Sequence, residues 1–250
     1  MKNIDVKLVR DIENWIASYI SKAHAKGVVL GMSGGKDSLV TAGLCVNAIG
    51  KDRVLGIIMP NGEMKDCDIA IASCKELGIK YRIIDINEIY RLYLKEVKNV
   101  ESDLTIVTTF NLPPRIRMTM LYAIAGSKGY LVANTSNLSE KEVGYTTKWG
   151  DNVGDFAPLV NFTKSEVVEI GLLLGLNREY VQKTPDDGLS GKSDEEKLGF
   201  SYSSLDRYIR TGEKDASFDK IDKMHKASSH KKKIESFENN FDNYFDEKDR

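Results

Sequence analysis

Val28-Val29-Leu30-Gly31-Met32-Ser33-Gly34-Gly35-Lys36-Asp37-Ser38 joins a short apolar run to a glycine- and serine-rich turn, and the residues that follow, Asp37 to Ala48, carry a helical pattern. The apolar run is brief and bounded by glycine, so it reads as a buried strand. Upstream, Ile12, Trp15, Ile16, Tyr19, Ile20 and Ala23 recur at three- and four-residue steps, an amphipathic helix stopped at Gly27. Downstream the alternation repeats. Val54 to Met59 is strand-like, Asp66 to Leu77 helical, Lys80 to Asp85 strand-like and Asn87 to Lys98 helical. Pro113-Pro114 opens a further helix through Ala125, since proline suits a first turn. Tyr130 to Ala133 is a last short strand. Strands alternating with helices need crossover connections, which predicts an α/β fold: a doubly wound parallel sheet with helices on both faces.

Beyond Thr135 the chain changes character. Gly144 to Asn161 and Thr184 to Phe200 are rich in Gly, Asp, Ser and Pro and read as long loops, with an apolar-faced helix from Lys164 to Leu174 between them. Residues 218–250 are charged but carry Met224, Ile234, Phe237, Phe241, Tyr244 and Phe245, which predicts helices docked on the body as a C-terminal extension. The 250 residues form one expected domain, 1–250.

Lys and Arg number 36 against 37 Asp and Glu, which removes the broad positive field of a protein that grips nucleic acid nonspecifically. Cys45, Cys67 and Cys74 form no C-x-x-C pair and read as small apolar residues of a reduced protein. The charged N-terminal segment lacks the apolar centre of a leader, and the longest apolar stretch, Ile170 to Leu176, is too short to span a bilayer. The expectation is a soluble cytoplasmic protein, bound neither to nucleic acid nor to membrane.

In open α/β sheets ligands sit beyond the carboxyl ends of strands, near helix N-termini, which is where Gly31 to Ser38 falls. Adjacent glycines let the backbone turn its amides onto a phosphate, and Ser33 and Ser38 add hydroxyl donors. The helix dipole adds about 0.3–1 kcal/mol for an exposed anion. The segment is not a Walker loop: Leu30 stands where that motif's first glycine would be, and Asp37 replaces the hydroxyl residue after the lysine. A carboxylate beside a polyphosphate repels it unless a divalent cation intervenes, so Asp37 implies Mg²⁺. A plain strand-to-helix turn capped by Asp37 is the competing reading.

Ser33-Gly34-Gly35-Lys36-Asp37-Ser38 resembles the phosphate loop of the ATP-pyrophosphatase superfamily. Arg115-Ile116-Arg117-Met118, Asn134-Thr135-Ser136-Asn137-Leu138-Ser139-Glu140, Gly144 to Asp151, Asp155, Lys164, Asp194-Glu195, Leu198 to Tyr202 and Ser229-His230-Lys231 together resemble the ammonia-dependent NAD synthetases. The resemblance runs from about residue 5 to about residue 235. It implies an adenine nucleotide α-hydrolase-like fold and a carbon–nitrogen ligase. ATP adenylates the nicotinate carboxylate of deamido-NAD, releasing pyrophosphate, and ammonia then displaces AMP to give NAD.

It further implies a homodimer with deamido-NAD at the subunit interface. Asp37 and Glu140 would hold Mg²⁺. Gly31, Met32, Ser33, Gly34, Gly35, Lys36, Asp37, Ser38 and Thr135 would contact ATP, and Lys164 would reach its phosphates. Arg115, Lys148, Asp155, Glu195, His230 and Lys231 would bind deamido-NAD, and Asp151 would lie near the ammonia as proton acceptor or orienting group. Asp186 stands where these enzymes carry Ser or Thr beside ATP; its carboxylate binds metal, faces solvent, or marks a lost contact. Phe110 is a candidate stacking partner for the substrate. A glutamine-dependent version would need a further domain with a catalytic cysteine, so nitrogen is expected as free ammonia or from a separate ammonia-supplying protein. Two other readings compete: a tRNA-modifying member of the superfamily, which predicts a basic face or a thiol pair, and a nucleotide-binding regulator, which leaves Asp37, Glu140 and Lys164 unexplained as a set.

Overall fold

A computed structural model describes residues 4–62, 66–183 and 193–232. In chain order the elements are Val6–Lys22 (α1), Gly27–Gly31 (β1), Lys36–Ile49 (α2), Val54–Ile58 (β2), Cys67–Glu76 (α3), Lys80–Ile83 (β3), Asn87–Lys98 (α4), Ile106–Lys128 (α5) and Tyr130–Val132 (β4). Leu138–Val143 (α6), Lys164–Leu173 (α7), Arg178–Gln182 (α8), Asp194–Leu198 (α9), Tyr202–Thr211 (α10) and Phe218–Ala227 (α11) follow.

The sheet is parallel throughout, in the order β3-β2-β1-β4. The chain therefore leaves β1 toward β2 on one side and returns to β1's other edge with β4. That reversal opens a crevice at the carboxyl end of β1. Strands β1 and β2 are apolar along nearly their whole length because both faces are covered. Residues paired across the strands share a face: Val29, Leu55 and Val132 point toward α5, while Val28 and Val54 point toward the core built with α1, α2 and α7. On α1, Val9, Ile12, Ile16 and Ile20 are buried, whereas Trp15 and Tyr19 lie on its flank and stack at 5.9 Å.

A third apolar cluster, with Val143, Leu198, Phe200, Tyr202, Leu205 and Ile221, packs α6, α9, α10 and α11 together. It sits beside the carboxyl end of the sheet and anchors the elements that wall the crevice. Among the described residues no helix is long and apolar enough to cross a membrane.

Three expectations are corrected. Pro113 and Pro114 lie inside α5, which begins seven residues upstream at Ile106. The Thr105 hydroxyl caps that start by accepting the Thr108 amide at 3.3 Å, and the residues before the prolines are exposed or only partly buried, so water can serve the carbonyls that lose helical donors. Residues 194–198, expected as loop, form α9, nucleated by a capping box between Ser193 and Glu196. Helices α8 and α10 were not foreseen, although Tyr202, Leu205, Tyr208 and Ile209 carry a helical spacing.

Candidate active site

The loop after β1 is organised by its own hydroxyls. Ser38 donates to the Gly35 carbonyl at 2.9 Å and accepts the Ser33 amide at 3.3 Å. The Ser33 hydroxyl accepts the Gly35 amide at 3.2 Å. Gly34 holds φ at +81°, and a Cβ there would come within 2.6 Å of the Asp66 carbonyl oxygen, so glycine is required on both counts. The loop opens into a cleft of about 430 Å³ that Gly31, Met32, Ser33, Gly35, Lys36, Asp37 and Ser38 line on one side. Thr135, Glu140, Asp151 and Lys164 line the other walls.

Asp37, Glu140 and Lys164 meet. Lys164 Nζ donates to Asp37 Oδ2 at 2.8 Å and to Glu140 Oε1 at 2.7 Å, and Asn137 Nδ2 donates to Asp37 Oδ1 at 3.1 Å. Each position has a local cause. Asp37 is in the first turn of α2, and Glu140 in the first turn of α6, whose cap, Asn137, accepts the Glu140 amide at 3.0 Å. Lys164 opens α7, fixed by a capping box between Thr163 and Glu166. Lys164 is only 5% exposed, and its ammonium lies 5.1 Å from the centroid of the Tyr202 ring. Burial opposes the charge on Lys164, but Asp37 and Glu140 overcome it and hold the ammonium well above its usual range. Burial, with Asp37 adding to it, pushes the Glu140 carboxyl up to about 7, against the pull of Lys164. Lys36 is lowered, chiefly by burial and then by Lys164.

The opposite wall comes from the segment after β4. That segment doubles back, with Asp155 donating its amide to the Val132 carbonyl at 2.8 Å. Asn134 Nδ2 and the Ser136 hydroxyl donate to the Asp151 carbonyl at 2.9 and 3.2 Å, and Asp151 Oδ1 accepts the Thr147 amide at 2.7 Å. Desolvation raises the Asp151 carboxyl above the ordinary range, against that amide and the nearby Lys231.

The remaining sequence-derived residues divide. Arg115 Nε donates to the Lys148 carbonyl at 3.2 Å, and Lys148 Nζ to the His230 carbonyl at 2.5 Å, which gathers three of them into a patch beside the cleft. Lys231 Nζ donates to the Gly144 and Thr146 carbonyls, both at 2.8 Å, and lines an adjoining cavity of about 220 Å³. Asp155 is turned toward the sheet, where Oδ2 accepts the Val132 amide at 2.7 Å and Oδ1 the Tyr122 hydroxyl at 3.4 Å. Glu195 Oε1 accepts the Tyr202 amide at 2.7 Å. Asp186 lies outside the described residues. Phe110 is half exposed on α5 and does not line the cleft.

Sequence reasoning missed several cleft residues. Arg117 lines it, with Nε donating to the Met59 carbonyl at 2.9 Å, and burial lowers its guanidinium. Asp66 and Lys183 pair across the cleft's edge from far apart in the chain. Only the quoted Arg115 to Met118 run pointed toward Arg117; nothing local marked the other two.

Two carboxylate oxygens converging on one buried cation form a hard-oxygen donor set. A small divalent ion takes such a set when substrate phosphates complete its shell. Among the described residues no group of three or more His, Cys, Asp or Glu could hold a metal without such help. The arrangement therefore suits a phosphate-bound Mg²⁺ better than a structural ion.

A family model described as NAD synthase matches residues 8–242. A protein of Thermococcus sibiricus named NH(3)-dependent NAD(+) synthetase is 42% identical over 211 residues, 84% of this chain and 82% of that protein. One of the same name from Finegoldia magna is 39% identical over 241 residues, 95% of this chain and 98% of its own length. Among solved structures, the NMN synthetase of Francisella tularensis superposes with a TM-score of 0.86 at 32% identity, covering 94% of this chain and 98% of that one.

Proposed function

The chain belongs to the NAD synthase family, and from that premise we propose that it is an ammonia-dependent NAD synthetase, an AMP-forming carbon–nitrogen ligase acting on deamido-NAD, ATP and ammonia. The observation that carries the reading down to residues is the meeting of Asp37, Glu140 and Lys164 opposite the glycine-serine loop.

A carboxylate is a poor acyl electrophile. Its oxygen first attacks the α-phosphorus of ATP; the bond to the bridging oxygen breaks and the electron pair leaves on pyrophosphate. Charge on the departing phosphates is met by the loop from Gly31 to Ser38 and by the Lys164 ammonium. Asp37 and Glu140 would hold Mg²⁺, which when bound supplies Lewis-acid neutralisation of the phosphate oxygens. Ammonia then attacks the acyl carbon, and the carbon–oxygen bond to AMP breaks. The nitrogen sheds its extra proton, for which Asp151 is placed, since a raised carboxyl is the better base. Thr135 contacts ATP, and Arg115, Lys148, His230 and Lys231 form the deamido-NAD side, with Asp155 and Glu195 shaping it from the backbone bonds described above.

The exposed apolar face of α4 and of the first turns of α5 supports a homodimer. No residue of α4 is buried, and Leu92, Tyr93, Ile106 and Val107 are 58%, 49%, 69% and 61% exposed. Large exposed apolar side chains on two helices that pack together are what a second copy covers. Arg115 lies on the same helix, so the dinucleotide would enter where the copies meet. Leu92→Glu is expected to convert a dimer to a monomer in analytical ultracentrifugation; a wild-type monomer refutes the assembly.

The Francisella likeness favours a second reading, amidation of nicotinate mononucleotide. One assay separates them. Purified protein with Mg²⁺, ATP and ammonium is given deamido-NAD or nicotinate mononucleotide. NAD, AMP and pyrophosphate from the first substrate support the synthetase; preferential conversion of the mononucleotide overturns the substrate, and ADP with phosphate overturns adenylation.

A further inference from the structure

Asp206, on α10, is 6% exposed and does not line the cleft. Its two carboxylate oxygens take three donors. Oδ1 accepts the Ser139 hydroxyl at 2.5 Å, and Oδ2 accepts the Ser165 amide at 2.8 Å and the Ser165 hydroxyl at 2.6 Å. The Ser139 oxygen in turn accepts the Lys164 amide at 2.9 Å. Ser139 immediately precedes Glu140, and Ser165 immediately follows Lys164. One buried carboxylate therefore ties together the backbone segments that carry the two groups facing each other in the cleft. We propose that Asp206 is a positioning residue for the reaction, setting Lys164 against Glu140 and the phosphate loop through Ser139 and Ser165.

The face of α10 is built for this. Tyr202 lies one turn before Asp206, and its ring packs against the Lys164 ammonium. The helix thus grips Lys164 at both ends, by Tyr202 at the charge and by Asp206 near its backbone. The Asp206 charge also meets the positive N-terminal end of α7. A carboxamide is a poorer replacement. With its oxygen kept on Ser165, Asn turns an N–H toward the Ser139 hydroxyl, which can accept it but is left without an acceptor for its own proton, and the charge at the α7 N-terminus is lost.

Arg210, one turn on, supplies an internal comparison. Its Nε donates to Glu166 Oε1 at 2.7 Å, so it binds α10 to the same α7 without touching α6. If Asp206 merely glued helices together, losing either tie would act alike. The inference rests on the reading that Lys164 and Glu140 serve the nucleotide.

The test compares Asp206→Asn, Ser139→Ala and Arg210→Met with wild type for Tm, kcat, KM for deamido-NAD, and calorimetric affinity for a non-hydrolysable ATP analogue with Mg²⁺. A misplacement near one ångström costs roughly 100-fold in rate. Asp206→Asn is expected to lose about that in kcat and to bind the analogue more weakly, with KM for deamido-NAD within about twofold of wild type. Arg210→Met should match its loss of Tm, and because Glu166 keeps its own bond to the Thr163 amide and so the cap before Lys164, kcat should stay within about threefold. Ser139→Ala leaves Asp206 bound to Ser165 but removes both the bond to Oδ1 and the link to the Lys164 amide; it should lower kcat about tenfold, and it carries the test if Asp206→Asn does not fold. Turnover falling in proportion to Tm in Asp206→Asn and Arg210→Met alike, or wild-type turnover in Ser139→Ala, overturns the proposal. A wild-type protein that makes no amide fails the functional reading instead.

Discussion

Replacing Lys164 by Met keeps the buried stem and removes the charge between two carboxylates at 2.8 and 2.7 Å. Taking one partner from a buried ion pair costs about 3–5 kcal/mol, because the charges left behind are uncompensated. The folded protein can relieve part of this by taking up a proton. Glu140 already titrates at about 7 through burial and Asp37, and losing the opposing pull of Lys164 moves it higher. Its folded value then lies further above its unfolded one, and in that window the folded state holds a proton that the unfolded state lacks. Stability therefore falls as pH rises, by up to about 1.4 kcal/mol per pH unit. The wild-type protein keeps its ionised pair above pH 7 and loses little from this source. Urea melts should show the variant's deficit growing as pH rises above 7, by at most about 1.4 kcal/mol per pH unit. Turnover should fall by about 2.7–4 kcal/mol of transition-state stabilisation, as when one preorganised donor is removed. Parallel pH–stability curves for the two proteins would refute the electrostatic argument. Unchanged turnover would remove Lys164 from the chemistry.

Gly34→Ala places a Cβ within 2.6 Å of the Asp66 carbonyl at a left-handed φ of +81°. The backbone conformation alone costs about 1–2 kcal/mol, so a lower Tm and at least about tenfold weaker ATP binding by calorimetry are expected; wild-type affinity would show that the loop tolerates the displacement. Burial raises the Cys45 and Cys74 thiols to about 12 and about 11, while Cys67 is only partly buried. A thiol reagent at pH 8 should therefore label Cys67 alone in the native protein and all three cysteines in denaturant. Rapid native labelling of three thiols would contradict the packing around α2 and α3.

The amino-acid sequence by itself settled what depends on neighbours within a few residues. Val28 to Gly31 could only be a covered strand, Gly34-Gly35 could only be a tight turn, and the helix behind them followed. The repeated strand–helix alternation carried the parallel sheet, although the order β3-β2-β1-β4 came only from the pairing itself. Local preference failed where longer contacts outweighed it: the prolines of α5 sit inside a helix started upstream by Thr105, and α9 and α10 are held by a cluster reaching from Val143 to Ile221. The resemblance singled out Asp37, Glu140 and Lys164, but not their meeting at one ammonium. That meeting joins positions 127 apart for Asp37 and Lys164. Asp206 and the Asp66–Lys183 pair carried no local mark at all. Dihedral preferences and caps act over one or two turns of chain. The place of a charge relative to another a hundred residues away is set only when burial of the apolar faces brings their helices together, so the tertiary structure decided the electrostatics of the cleft.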